Sequence, residues 1–221
     1  MRLFRNRADA GVQLSARLEK YRNDDNAIVL ALPRGGVPVA YEIATRLGLP
    51  LDVFTVRKLG VPGHEELAMG AVASGGAYVV DARLLELAQV TPEEFRTALA
   101  RERAELRRRE TAYRGGRAEP ELRGKTVLLV DDGLATGASA QAALAVLRER
   151  GPSKIVVAVP VASPDSVLAL TQSADEIATV YQPWPFHSVG SYYENFDQVE
   201  DATVLRLLSQ AERRGPKWTV A

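Results

Sequence analysis

The sequence has no cysteine, only two methionines, two tryptophans and two histidines, and no net charge, with Lys plus Arg and Asp plus Glu both at 28. Each shortage closes off a class of chemistry. Without thiols there is no disulfide framework, thiolate metal site, iron–sulfur cluster or cysteine nucleophile, and metal chemistry is left to oxygen ligands. With the charges balanced, no field across the whole molecule draws in nucleic acid or an anionic membrane, so any anion must be held locally. No apolar run approaches the roughly 20 residues that a spanning helix needs. The opening MRLFRNRADA carries three arginines and no apolar signal-peptide core. These features predict a cytoplasmic protein.

What is present is a globular balance, 46% hydrophobic and 25% charged residues over 221 positions. That suits one domain with room for a sub-domain. From Asp9 to Arg22, the residues Val12, Leu14, Leu18 and Tyr21 recur at near-helical spacing and predict an amphipathic helix. Three apolar runs then end in turn chemistry: AIVLAL (Ala27 to Leu32) into PRGG, LDVFTV (Leu51 to Val56) into RKLG, and TVLLV (Thr126 to Val130) into DDG. Their Val/Ile/Leu content without alternation predicts parallel strands covered on both faces. Helices are expected at Val37 to Leu47, from Ala138 to Arg150, and from near Pro164. Further strands are expected at Lys154 to Ala162 and Glu176 to Tyr181. Alternation of this kind predicts an α/β fold with an open, mostly parallel, doubly wound sheet.

Between the second and third strands, residues 59–123 form an insertion. ELAMGAVASGGAYVV is able to pair as a hairpin, and a helix rich in Arg and Glu follows from Thr91 to about Arg114. Its charges read as a solvated face laced by i,i+4 pairs. The closing helix, Val199 to about Arg213, carries Leu205, Leu207 and Leu208, which fit packing on the sheet or on a second copy in a homodimer.

Ligands of an open parallel sheet sit beyond the carboxyl ends of its strands, and one loop there is unusual. In VLLVDDGLATGAS, two adjacent carboxylates leave a strand tip, and Gly, Thr, Gly and Ser lead into a helix. Gly133 and Gly137 permit a tight turn with converging N–H groups, Thr136 and Ser139 offer hydroxyls, and the helix N-terminus supplies partial positive charge. The natural target is a phosphate. Asp131 and Asp132 suit vicinal hydroxyls of a ribose and water around a divalent cation. An Asp-Gly turn with a capping hydroxyl explains one acid, not both, and not the second glycine.

This segment resembles the PRPP-binding motif of the type I phosphoribosyltransferase family, PRPP being 5-phosphoribosyl pyrophosphate. The resemblance assigns Asp131 and Asp132 to the ribose hydroxyls, and to Mg²⁺ through water, and gives Ala135, Thr136, Gly137, Ala138 and Ser139 to the 5′-phosphate. PRGG resembles the family's pyrophosphate loop, with Arg34, Gly35 and Gly36 as ligands and a Pro33–Arg34 bond that can be cis. Arg57 and Lys58 resemble the basic pair with which some members hold pyrophosphate. The order of these motifs agrees with the family from Ala27 to Tyr181. KLGVPGHEELAMG stands where the family has a mobile loop that closes over the site, with His64 and Glu65 either reaching the substrates on closure or simply exposed.

QPWPFHSVGSYYENF holds five aromatics, and six of the chain's 14 fall between Tyr181 and Phe196. The resemblance makes residues 182–197 part of a hood over the acceptor base. Trp184, Phe186, Tyr192 and Tyr193 are then stacking residues; the alternative is that they anchor a long connection to the core. The resemblance implies a Mg²⁺-dependent transferase of the phosphoribosyl group from PRPP to a nitrogenous base, without nucleic-acid or membrane partners. A non-catalytic sensor of PRPP or nucleotides on the same fold is the alternative. One departure bears on the acceptor: hypoxanthine-type members carry an acid just before the Thr-Gly pair, whereas this chain has Ala135, closer to adenine- and orotate-type members. Gly133 also departs, where an aliphatic residue is common, and predicts a looser loop.

Other motifs fall short. RGGVPVA lacks the dinucleotide fingerprint, and Gly133 to Gly137 lacks the following Lys of a P-loop. The run Gly137-Ala-Ser139-Ala-Gln141 lacks the second glycine of a nucleophile elbow. A serine hydrolase, with Asp165 or Asp175 and His187 completing a triad, leaves both loop acids idle.

Overall fold

The computed structural model describes residues 3–115 and 117–214. In chain order the elements are α1 (Arg7–Ser15), β1 (Ala27–Ala31), α2 (Gly36–Leu47), β2 (Leu51–Val53), β3 (Val56–Val61), β4 (His64–Ala73), β5 (Tyr78–Val80), α3 (Ala82–Leu87), α4 (Pro92–Arg114), β6 (Thr126–Val130), α5 (Ala138–Glu149), β7 (Lys154–Val161), α6 (Pro164–Leu170), β8 (Glu176–Tyr181) and α7 (Asp201–Arg214).

Five strands form one parallel sheet in the order β2-β1-β6-β7-β8, with Ala31 opposite Val130 and Val130 opposite Ala158. Both faces are covered, as the unalternating sequence predicts. Val29 and Ala31 of β1 join α2, α7 and Leu14 on one side. Ile28 and Leu30 join Leu144 and Leu147 of α5 on the other. The strand order reverses between β1 and β6, so their carboxyl ends flank the crevice where ligands of such sheets bind.

The structure departs from the sequence expectation at the second strand and at the first helix. The run Leu51 to Val56 is not one strand: β2 ends at Val53, and β3 begins at Val56 in a separate antiparallel sheet, β3-β4-β5. Buried Phe54 and Thr55 carry the chain between the sheets, so burial is continuous while the hydrogen-bonding partner changes. The segment that stands at the family's mobile loop is built as a hairpin, with Val61 opposite His64 around Pro62 and Gly63. The first helix also stops early, at Ser15. Leu18 and Tyr21 stay buried because a single 3₁₀ turn, Glu19–Tyr21, serves their three-residue spacing.

The insertion is tied to the parallel sheet by charge. Arg114, in the last turn of α4, donates from Nε to Asp52 Oδ2 at 3.0 Å and from Nη2 to the Val53 carbonyl at 3.0 Å. Asp52 and Arg114 are both buried. Burial lifts the Asp52 carboxyl above the ordinary carboxylate range despite the Arg114 charge beside it. A carboxyl with a raised folded-state pKa adds stability only while protonated and loses it as pH rises, so ionised Asp52 needs its guanidinium at neutral pH. We expect Arg114→Met to lower the unfolding free energy by about 3–5 kcal/mol at pH 7, measured by urea denaturation. The loss should shrink towards about pH 4, where the stranded carboxyl takes up a proton, and Asp52→Asn in the same chain should recover most of it.

Candidate functional site

The acid pair leaves β6 at the switch point, directly against the glycine loop that leaves β1. A β-carbon on Gly35 would stand 2.0 Å from Asp132 Oδ2, and one on Gly36 would stand 2.6 Å from the Val130 carbonyl oxygen. A side chain at 36 would meet backbone and one at 35 would displace the Asp132 carboxylate, so the two glycines let the loop at 33–36 lie against the acids. The Pro33–Arg34 bond is cis. Asp132 N–H donates to Asp131 Oδ1 at 2.8 Å. Burial, then the neighbouring Asp132 charge, pushes the Asp131 carboxyl well above its usual range. Burial also raises that of Asp132, against the pull of Arg7. Two partly buried carboxylates side by side at a strand end form a site suited to donors or to positive charge.

Beyond the acids the chain crosses Ala135 and Thr136, both exposed, and enters α5 through Gly137, whose φ of 71° is left-handed. This loop is braced from below. Ser163 Oγ donates to the Ala135 carbonyl at 2.8 Å, and the same oxygen caps α6 by accepting from Ser166 N–H at 3.1 Å. Ser163 thus takes the carbonyls of Leu134 and Ala135, while the amides of Ala135, Thr136 and Gly137 make no hydrogen bond among the described residues. Together with the first turn of α5, which holds Ala138 and exposed Ser139, they form an anion cradle of backbone N–H groups.

Gly133 has a packing role that its place in the loop did not signal. A β-carbon there would lie 2.5 Å from Val189 Cγ1, so glycine admits the segment that folds over the acids. That segment is fastened to the chain start: Phe4 bridges to Tyr193, and the Phe4 and Arg5 carbonyls accept from Glu194 and Asn195 N–H. Tyr193 O–H donates to the Asp132 carbonyl at 2.6 Å, and burial first, then the Asp132 charge, holds its hydroxyl well above its usual pKa. Arg7, at the start of α1, donates from Nε to Asp132 Oδ2 at 2.8 Å and from Nη1 to the Asp197 carbonyl at 2.8 Å. Its guanidinium carbon lies 3.8 Å from the centre of the Phe196 ring.

The basic residues divide. Arg34 stays half-exposed at the glycine loop, 3.9 Å from Asp201 Oδ1. Arg57 and Lys58, neighbours on β3, point to opposite faces of the strand. Arg57 is held by Glu102 of α4, at 2.8 Å from Nε and 2.7 Å from Nη2. Lys58 is exposed and shares a face with Val56; their partners Ala71 and Ala73 pack towards α5.

The four expected hood aromatics also divide. Tyr192 and Tyr193 are buried beside Phe4 and Val161 and act as anchors. Trp184, largely exposed, and Phe186 face Ala135, Thr136 and Asp165 across a cavity of about 460 Å³. Arg7 and Glu102 escaped the sequence reading because nothing in their spacing marks them. Ser163 carried a legible signal, a serine before Pro at the start of a helix.

No helix among the described residues is long and apolar enough to cross a membrane. Residues 5–193 match the phosphoribosyl transferase domain family. The chain is 42% identical over 213 residues to Rv0571c and to MT0597, two Mycobacterium tuberculosis proteins named provisionally as phosphoribosyl transferases; the match covers 96% of this chain and 48% of each relative. It therefore spans about half the length of those relatives. The crystal structure of TT1426 from Thermus thermophilus superimposes with a TM-score of 0.84 at 44% identity, covering 95% of this chain and 99% of that one. With its parallel sheet, its acid pair at the switch point and this match over most of its length, the chain belongs to the phosphoribosyl transferase family, with the type I fold.

Proposed function

We propose that the protein transfers the 5-phosphoribosyl group of PRPP to a nitrogen nucleophile, a flat nitrogenous base or another small acceptor, with release of pyrophosphate. One observation carries this reading: the acid pair is seated between the glycine loop and the amide cradle at the start of α5. Asp131 and Asp132 accept from the ribose hydroxyls, and the amides from Ala135 to Ser139 receive the 5′-phosphate. Arg34, the backbone at Gly35 and Gly36, and Lys58 meet the pyrophosphate as charge builds on it. Arg57 supports the site through Glu102. Trp184 and Phe186 offer aromatic faces to the acceptor. The bond from the anomeric carbon to the pyrophosphate oxygen breaks while a bond to nitrogen forms, and the chain's part is mainly to orient and neutralise.

A divalent cation fits this donor set. Among the described residues no cluster of three or more acidic or histidine side chains could hold a metal alone, but one or two carboxylates completed by substrate oxygens and water suit Mg²⁺. Asp131 and Asp132 would hold it through water, and when bound it supplies positive charge to the leaving pyrophosphate.

The direct test is incubation with PRPP, Mg²⁺ and a panel of purines, pyrimidines and small amides, following pyrophosphate release. Release with one acceptor supports transfer. Tight PRPP binding with no release from any acceptor indicates a sensor, and absent PRPP binding removes both readings. Replacing Asp131 and Asp132 together by Asn should abolish PRPP binding in calorimetry, since each charge-assisted contact is worth on the order of 3 kcal/mol; undiminished affinity would refute the ribose assignment. Lys58→Met should lower kcat/KM for PRPP by about tenfold or more without moving the melting temperature. Arg57→Met should instead lower the melting temperature, because among the described residues it leaves buried Glu102 with Arg101 as its remaining ion-pair partner. The reverse pattern would reassign the two.

A further inference from the structure

We infer that Arg7 is a positioning residue that sets the ribose site: it fixes one oxygen of Asp132 and ties the segment over the site to that carboxylate. The inference rests on the ribose reading of the acid pair proposed above. Three unrelated partners hold one guanidinium. Nε is spent on Asp132 Oδ2 at 2.8 Å, Nη1 on the Asp197 carbonyl at 2.8 Å, and the π face lies on the Phe196 ring at 3.8 Å. The pair is largely shielded, with 11% of the Arg7 and 16% of the Asp132 side chain exposed, so the bond is charge-assisted and not dissipated by solvent. Arg7 engages a single carboxylate oxygen. Oδ1 lies outside the ion pair, so the arrangement orients Asp132 as an acceptor instead of blocking it.

The anchorage of Arg7 is equally specific. Helix α1 lies so close on α2 that a β-carbon at Gly11 would stand 2.6 Å from the Val39 carbonyl oxygen. The Asn6 side chain caps α1 by accepting from Asp9 N–H at 3.0 Å. The helix that carries Arg7 thus rests on the helix that follows the glycine loop, while the Phe4 bridge clamps the preceding residues to Tyr193. Asp132 is held from both ends, its side chain by Arg7 and its carbonyl by Tyr193. A group bound at Asp132 is therefore linked through Arg7 and Tyr193 to residues 193–197, which share no hydrogen bond with the amide cradle at 135–139 among the described residues. Loss of Arg7 should disturb ribose recognition while leaving phosphate recognition intact.

The test measures affinity for PRPP, ribose 5-phosphate and inorganic phosphate by calorimetry in the unaltered protein and in Arg7→Met, Arg7→Lys and Phe196→Leu. Arg7→Met should weaken PRPP and ribose 5-phosphate by roughly 10- to 100-fold, the range for losing a hydrogen bond to a charged group, and change inorganic phosphate by less than about twofold. Lysine keeps the charge but not the planar fork, so it should recover only part of the loss. Phe196→Leu, which keeps the ion pair, should cost a few-fold and serves if Arg7→Met fails to fold. In turnover, KM for PRPP should rise while kcat at saturating PRPP holds. Equal losses for phosphate and ribose 5-phosphate would show a merely structural role, and unchanged or tighter ribose 5-phosphate binding would show that Arg7 is idle or blocking; each overturns the inference. An unaltered protein that binds inorganic phosphate but not ribose 5-phosphate or PRPP overturns the ribose reading beneath it as well.

Discussion

The carboxylate of Asp132 rests against the backbone of Gly35, where a side chain would fall within 2.0 Å of its oxygen. That contact requires β1 and β6 to be neighbours with their carboxyl ends level, which the register of Ala31 against Val130 provides. It also requires two glycines in succession, since Gly36 meets the Val130 carbonyl in the same way. Because two acids crowded at a buried strand tip repel one another, the surroundings supply compensation: a backbone N–H to Asp131, a guanidinium to Asp132, and room for donors from a ligand. In the loop beyond the acids the carbonyls of Leu134 and Ala135 are bound to Ser163 and the amides of residues 135–137 make no hydrogen bond among the described residues, so the same junction holds negative charge and unpaired N–H groups within a few residues.

Around this junction the fold separates support from contact. Arg57 and Lys58 are adjacent in sequence, yet one is drawn into an ion pair with Glu102 and the other is left exposed, because a strand sends neighbours to opposite faces. The aromatic cluster divides in the same manner. Tyr192 and Tyr193 fill the space beneath the segment, and Trp184 and Phe186 border the open cavity above the phosphate loop. In both cases residues of one chemical type take different tasks according to the face on which the backbone places them.

Much of the architecture was legible. Strands β1, β6, β7 and β8 lie where the apolar runs predict them, and α4 begins just after Thr91, where the sequence places it; the structure adds the capping box that Thr91 and Glu94 form. The break between β2 and β3 was hidden, because Phe54 and Thr55 are as buried as the strands they separate, and hydrophobicity reports burial, not pairing. The true reason for Gly133 was hidden as well, since it lies 56 positions away at Val189.

The sequence by itself determined the alternation of strands and helices and placed the acid pair and its phosphate loop at a strand end. These are local matters of spacing, turn chemistry and helix capping, readable within a window of about a dozen residues. Only the tertiary structure decided that Arg7 stands on Asp132, 125 residues away, and which aromatics line the cavity. It also gave Arg57 to Glu102 and left Lys58 exposed. Such pairings depend on how helices rest on the sheet, and backbone approach at Gly11, Gly35 and Gly36 exists only once distant segments have packed.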